Sequence, residues 1–237
     1  MHALSTMNGA SAVLTREDTA AFRRPALVLH QHPAPVAAPI VDALIDHGLD
    51  PIAVAGGKDG PLPDASSAPL AILVSEDRLT DVRAGGRLSR EIDWIRDADE
   101  AGTAILGIGH GARVLALALG GDVEPAPHPL RGWTMVDTAV PHLIAGGPWL
   151  AWQHDVIRLP RGATQLAHNR LGPQAFRFGR HLGVQFHPEA TPEVVARWAG
   201  AHDVSGEVRA LLSLIGRDPM AAAVCTERLL SSFISGI

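Results

Sequence analysis

Ala104-Ile105-Leu106-Gly107-Ile108 runs without a break into Gly109-His110-Gly111 and then into Ala112–Leu119, and the reading of this stretch decides the fold. The first five residues are apolar throughout, which is the pattern of a strand covered on both faces. Ala112 to Leu119 reads as a helix, closed by Gly120-Gly121. Small residues on both sides of the junction let the backbone bend sharply and aim one side chain outward. A strand that turns directly into a helix is a building block of an α/β sheet.

The residues on either side agree. Upstream, Ala26–Leu29 and Leu70–Val74 are further short apolar runs, and Pro51–Val54 resembles another strand. Between them, Ile40, Val41, Leu44 and Ile45 share one helical face that Gly48 stops. Leu88, Ile92 and Ile95 lie at helical spacing in a helix that Gly102 stops. Residues 56–68 are rich in Gly, Pro and Ser and read as loop. Downstream the character changes. Residues 131–140, 151–159, 164–168, 174–178 and 182–186 read as shorter strands separated by turn signals. The tail is helical, with Val208, Leu211, Leu212 and Ile215 on one face and Leu229, Leu230, Phe233 and Ile234 on another. This order argues for an α/β fold with a mainly parallel sheet and helices on both faces. Residues 1–24 read as a flexible tail, 25–202 as the domain, and 203–237 as a helical extension packed on it.

Composition narrows the function classes. The 237 residues are 46% hydrophobic and 19% charged, ample apolar material for a core, so wholesale disorder is excluded. Lys and Arg number 20 against 25 Asp and Glu, a net charge of −5, which gives no bulk cationic field for nucleic acid. The single Cys225 forms no internal disulfide and no cysteine-rich metal site. No apolar run approaches the roughly 20 residues of a membrane span. The first 24 residues carry Arg16, Glu17, Asp18, Arg23 and Arg24 and lack an apolar signal core. A cytoplasmic location is the expectation.

In an open α/β sheet, sites form beyond the carboxyl ends of the strands. Those ends here are His30-Gln31-His32, Ser75-Glu76-Asp77 and the Gly109 elbow. Trp152-Gln153-His154-Asp155 and Gly183 to Glu189 could join them. On these residues, with Ala116 to Gly121, Gly132-Trp133, Leu159 to Thr164 and Gln174-Ala175-Phe176, the chain resembles class I glutamine amidotransferase domains. The likeness is to the stand-alone group similar to the glutaminase half of GMP synthase, it covers about residues 25–200, and it implies a flavodoxin-like three-layer sandwich with a central mostly parallel sheet.

That resemblance implies a chemistry and, at once, a gap. In the family an elbow cysteine attacks the glutamine amide, a histidine serves as base and acid, and a glutamate orients the histidine. An amide is a poor electrophile, so the thiolate and its paired imidazole are both needed. The histidine and glutamate positions are held by His187 and Glu189, but the nucleophile position is Gly109, which has no side chain. Three further departures accompany it. The oxyanion strand end, usually Gly-Gly-Pro, reads Ser75-Glu76-Asp77, and a carboxylate there would oppose the charge that such a hole stabilises. The glutamine usually found after the elbow, which helps hold the substrate, is replaced by Arg113 or displaced. The usual Trp-His-x-Asp reads Trp152-Gln153-His154-Asp155.

The first expectation is therefore a pseudoenzyme without glutaminase activity that serves in binding or as the partner of another protein. That partner is expected to be a synthase or a second copy, with glutamine or a related amino acid as ligand, and with no cofactor, metal, nucleic acid or membrane. Ser75, Glu76, His110, Arg113, Gln153 and His154 are the candidate ligand contacts. The alternative is altered chemistry on a small amide, ester or amino-acid derivative, with His187 as base among Glu189, His110 and Glu76. Against these stand simpler readings. Cys225 reads as a small apolar residue rather than a replacement nucleophile. Trp133, Trp149 and Trp152 read as packing. Asp77 reads as a helix cap, His32 as a turn residue or pocket wall, and Leu211, Leu212, Leu229 and Phe233 as contact surface.

Overall fold

The computed structural model describes residues 23–30, 38–55, 61–75, 86–191, 194–196, 198 and 219–236. His32, Glu76, Asp77, Leu211, Leu212 and most of the N-terminal tail lie outside them.

The elements run β1 (Arg24–His30), α1 (Ala38–Asp46), β2 (Leu49–Ala55), a 3-10 turn (Ala65–Ser67), β3 (Leu70–Ser75), α2 (Arg87–Ala101), β4 (Ala104–Gly109) and α3 (His110–Ala118). They continue with β5 (Asp122–Thr134), β6 (Asp137–Thr138), β7 (Trp149–Arg158), β8 (Thr164–Asn169), β9 (Gly172–Phe178), β10 (His181–Val184) and α4 (Pro219–Ile234). Eight strands form one sheet in the order β2-β1-β3-β4-β10-β9-β8-β6, and β5 pairs with β7 in a second. From β2 to β10 neighbouring strands are parallel; β9, β8 and β6 extend the sheet antiparallel. No helix among the described residues is long and apolar enough to cross a membrane.

The strand period explains the unbroken apolar runs. In β1, Ala26 and Val28 enter one core while Leu27 and Leu29 enter the other; in β3, Leu70 and Ile72 oppose Ala71 and Leu73. A helix layer covers each face, so both sets of side chains leave water. The first core includes buried residues of α1 and α4, and the second is closed by α2, α3 and the 3-10 turn. Gly102, in the left-handed conformation, stops α2 by donating its N–H to Ala98 and Asp99.

The structure corrects several expectations. β5 begins at Asp122, nine residues earlier than its sequence suggests. Pro125, Pro127 and Pro129 hid it, and its pairing with β7 is irregular between Pro125 and Leu130. Such prolines are tolerated where a strand need not donate at every residue. On α1 the buried face is Ile40, Ala43 and Leu44, while Ile45 is exposed. Leu229 and Phe233 are not a contact surface, because with Leu230 and Ile234 they sit in the core that contains Phe186 and Trp149. Trp149 stacks on Phe186 with ring centroids 4.3 Å apart, and Trp152 is wholly buried, so both tryptophans pack the interior.

Candidate functional site

The elbow is built by close approach. Gly107, at the end of β4, lies so near α3 that a methyl group on it would sit 2.7 Å from the Gly111 carbonyl. Gly109 occupies the junction with φ 57° and ψ −113°. That combination is sparsely populated and costs a residue with a side chain about 1–3 kcal/mol. It is the kind of tight strand-to-helix turn that holds a nucleophile proud of a sheet.

Topology brings the other segments to this point. Ser75 pairs in register with Gly109 on one side of β4, and Val184 of β10 pairs with Ile108 on the other. His187 follows β10 by three residues, so its loop leaves the sheet beside the elbow. His187 Nδ1 and Glu189 Oε1 are 2.8 Å apart, with side chains 0% and 2% exposed. An ionised carboxylate accepts only, so Nδ1 is the donor of the pair. Nε2 has no hydrogen-bond partner among the described residues. The ring lies edge-on to Trp198 at 4.6 Å, and Trp198 in turn packs on Trp152 at 5.8 Å. The loop is anchored twice more: His187 N–H donates to the Leu150 carbonyl, and Thr226 Oγ1 of α4 donates to the Pro188 carbonyl at 2.7 Å.

The remaining predicted ligand contacts go elsewhere. His110 does not join His187. It turns into the core beneath α2, where its Nε2 meets Glu91 Oε2 at 3.2 Å, and it lines a small cavity with Glu91, His30 and Trp94. Arg113 is wholly buried against Asp155, Nε to Oδ2 at 3.7 Å. Gln153 is buried too, donating to the Asp155 carbonyl and accepting from Gln174 Nε2 at 3.1 Å. His154, its neighbour on β7, is half-buried. Cys225 packs partly buried against the core, and burial pushes its thiol up, which suits an inert residue.

Glu91, Trp198 and Thr226 were missed by sequence reading. For Glu91 a signal existed. It falls on the buried stripe of α2 with Leu88, Trp94, Ile95 and Ala98, where a carboxylate is out of place without a partner. Burial alone would raise its carboxyl, but the His110 and Arg87 hydrogen bonds and charges outweigh that and hold it below the usual carboxylate range. Its contribution to stability is therefore complete above the ordinary glutamate pKa and is lost as pH falls through the lower native value. Glu91→Gln is expected to lower the urea midpoint at pH 7 and to flatten its fall between pH 5 and pH 3, roughly the span that an ordinary carboxylate titration covers. An unchanged acid slope would show that the pair carries no such linkage.

A family model described as "Glutamine amidotransferase class-I" matches residues 80–196. GMP synthase [glutamine-hydrolyzing] of Thermomicrobium roseum is 31% identical over 148 residues, covering 53% of this chain and 28% of that protein. A glutamine-hydrolysing GMP synthase subunit of Ignicoccus hospitalis is 37% identical over 94 residues, 36% of this chain and 50% of that protein. The chain thus spans half or less of these relatives. Among solved structures, a glutamine amidotransferase from Thermotoga maritima superposes with a TM-score of 0.76 at 20% identity, over 90% of this chain and 98% of that one. One from Methylobacillus flagellatus gives 0.70 at 19%, over 91% and 96%.

Proposed function

We propose that this chain, a class I glutamine amidotransferase-like protein similar to the glutaminase part of GMP synthases, has lost glutamine hydrolysis and acts as a non-catalytic binding or partner subunit in the cytoplasm. The observation that carries the proposal is the elbow. It retains the strained turn that would present a nucleophile, yet the residue there is Gly109, which has no atom with which to attack. Beside it the His187–Glu189 pair is intact. An imidazole can activate a thiol only if a thiol is present. Cys225 packs against the core from α4, so it gives no support as a substitute. Arg113, Gln153 and His110 are engaged inside the protein, which supports loss of the substrate contacts together with the thiol.

The partner we assign is the synthase half that would consume ammonia in the glutamine-hydrolysing relatives, the reading suggested by the Ignicoccus relative, which is itself one subunit of its synthase. Residues 25–202 are assigned to one domain and 203–237 to an extension on it; the seat of α4 in the core supports the second assignment.

A second reading, altered hydrolysis of a small amide, ester or amino-acid derivative, is favoured by one observation. Glu189 holds Nδ1 and leaves Nε2 as a base, the arrangement of a triad. Gly109 weighs against it, because it leaves that base no side-chain nucleophile at the elbow to activate.

Ammonia release from glutamine decides between these. The natural protein is expected to release none. Gly109→Cys is expected to release none either, since the substrate contacts have been redirected; a rescue would narrow the loss to the thiol alone. Release by the natural protein that His187→Ala abolishes would overturn the proposal.

A further inference from the structure

A cleft lies away from the elbow, against the loop that carries His187. It has a volume of about 720 Å³ and opens between α1 and α4, on the face of the sheet opposite α3. Its inner wall is apolar, formed by Trp133, Trp149, Pro148 and Leu150. Trp149 cannot turn away, because its ring is stacked on Phe186 and its indole N–H donates to the Ala145 carbonyl at 2.8 Å. Asp42 and Asp46 of α1 and Glu227 of α4 also line the cleft, with His47, and all are exposed. Among the described residues that line the cleft, none is Lys or Arg.

Size, wall and charge select an occupant. Ligand pockets are typically about 300–1,000 Å³, mostly apolar, with a few polar groups that fix orientation. Tryptophan faces and carboxylates both attract cations. We infer that this cleft binds a small, largely apolar molecule that carries an amine or other single cationic group, with the body against Trp133 and Trp149 and the cation at Asp42, Asp46 and Glu227.

The cleft also touches the candidate site. Thr226 lines it and donates to the Pro188 carbonyl, and His187 and Pro188 form part of its wall. A ligand seated there rests against the helix and loop that hold the His187–Glu189 pair, so occupancy adds contacts that the empty protein lacks.

The test uses the full chain and 2-phenylethylamine as probe, with phenylacetate and 2-phenylethanol as isosteric controls. Binding is followed by saturation-transfer NMR and by tryptophan fluorescence. The expected result is saturable one-to-one binding of the amine, at least tenfold tighter than the acid. A variant combining Asp42→Asn, Asp46→Asn and Glu227→Gln should lose at least tenfold in amine affinity and most of the preference over the acid. Ala223→Trp, on the exposed lining of α4, should narrow the cleft and weaken binding of all three probes. All four positions are exposed, so these variants are expected to keep the fold. No saturable amine binding, equal binding of the acid, or amine affinity unchanged by Ala223→Trp would overturn the inference. None of these readouts depends on ammonia release, so this inference and the loss of glutaminase activity fail independently.

Discussion

Gly111→Ala is expected to destabilise the protein by more than about 3 kcal/mol, beyond the usual cost of an overpacked core. Gly111 is buried in the first turn of α3, and a methyl group on it would overlap the Leu73 carbonyl of β3. The obstacle is backbone, not the end of a flexible side chain. Leu73 is held in register between Leu29 of β1 and Gly107 of β4. Making room therefore means shifting α3 off the sheet or breaking a central strand pair, in a fold whose total stability is about 5–15 kcal/mol. Gly120→Ala is the control. Its backbone, unlike that of Gly111, is left-handed, with φ 89°, and nothing lies near the added carbon, so it should cost about 1 kcal/mol. Soluble yield and thermal melts compare the two. If Gly111→Ala melts as high as Gly120→Ala, the helix is not seated as closely on β3 as described, and the elbow geometry falls with it.

Arg113→Ala should cost about 3–5 kcal/mol, the penalty for removing one partner of a buried ion pair. The Arg113 side chain has no exposed surface, and Asp155 would remain 8% exposed with its opposing charge gone. In a chain of this size that corresponds to a fall in Tm of about 10 °C. Arg113→Met keeps most of the volume and should lose nearly as much, because the stranded carboxylate is the main cost. Adding Asp155→Asn to Arg113→Met should recover a large part of it, since replacing both charges of a buried pair is often close to neutral. A double variant no better than Arg113→Met would show that lost packing, not the unpaired charge, explains the effect. The same series bears on function. If Arg113 were a ligand contact rather than a structural ion, its loss would spare stability and remove binding.

Strands β1, β3 and β4 were legible in the sequence because burial on both faces leaves no polar residue to blur the pattern. β5 was not legible, since Pro125, Pro127 and Pro129 carry the signature of a loop while the chain still runs extended beside β7. Of the candidate site, His187 and Glu189 were reached through the resemblance to class I glutamine amidotransferase domains, and the structure brings them together at 2.8 Å. The direction of His110 could not. As the first residue of α3 it could point toward the loop after β10 or beneath α2, and a partner 19 residues earlier, Glu91, settles it. His181 repeats the lesson. It looks like a surface histidine in a turn, yet it is buried, accepts from the Ile105 N–H and pairs with Asp99 at 3.0 Å.

What the sequence by itself determined is whatever depends on local pattern and residue identity: the alternation of strand and helix, the glycine-lined elbow, and the absence of a side chain at Gly109. What only the tertiary structure decided is where polar side chains spend their hydrogen bonds. Arg113, Gln153 and His110 are as consistent with a ligand as with a neighbour when read along the chain. Inside a packed core each must find a partner or leave a buried polar group unpaired at a cost of about 1–3 kcal/mol. Gln174 and Glu91 supply hydrogen-bond partners to Gln153 and His110 from distant segments, and Asp155 sets an opposing charge 3.7 Å from Arg113. The amine cleft has the same origin, since Asp42, Trp133 and Glu227 lie far apart in the chain and meet only because α1 and α4 cover one face of the sheet.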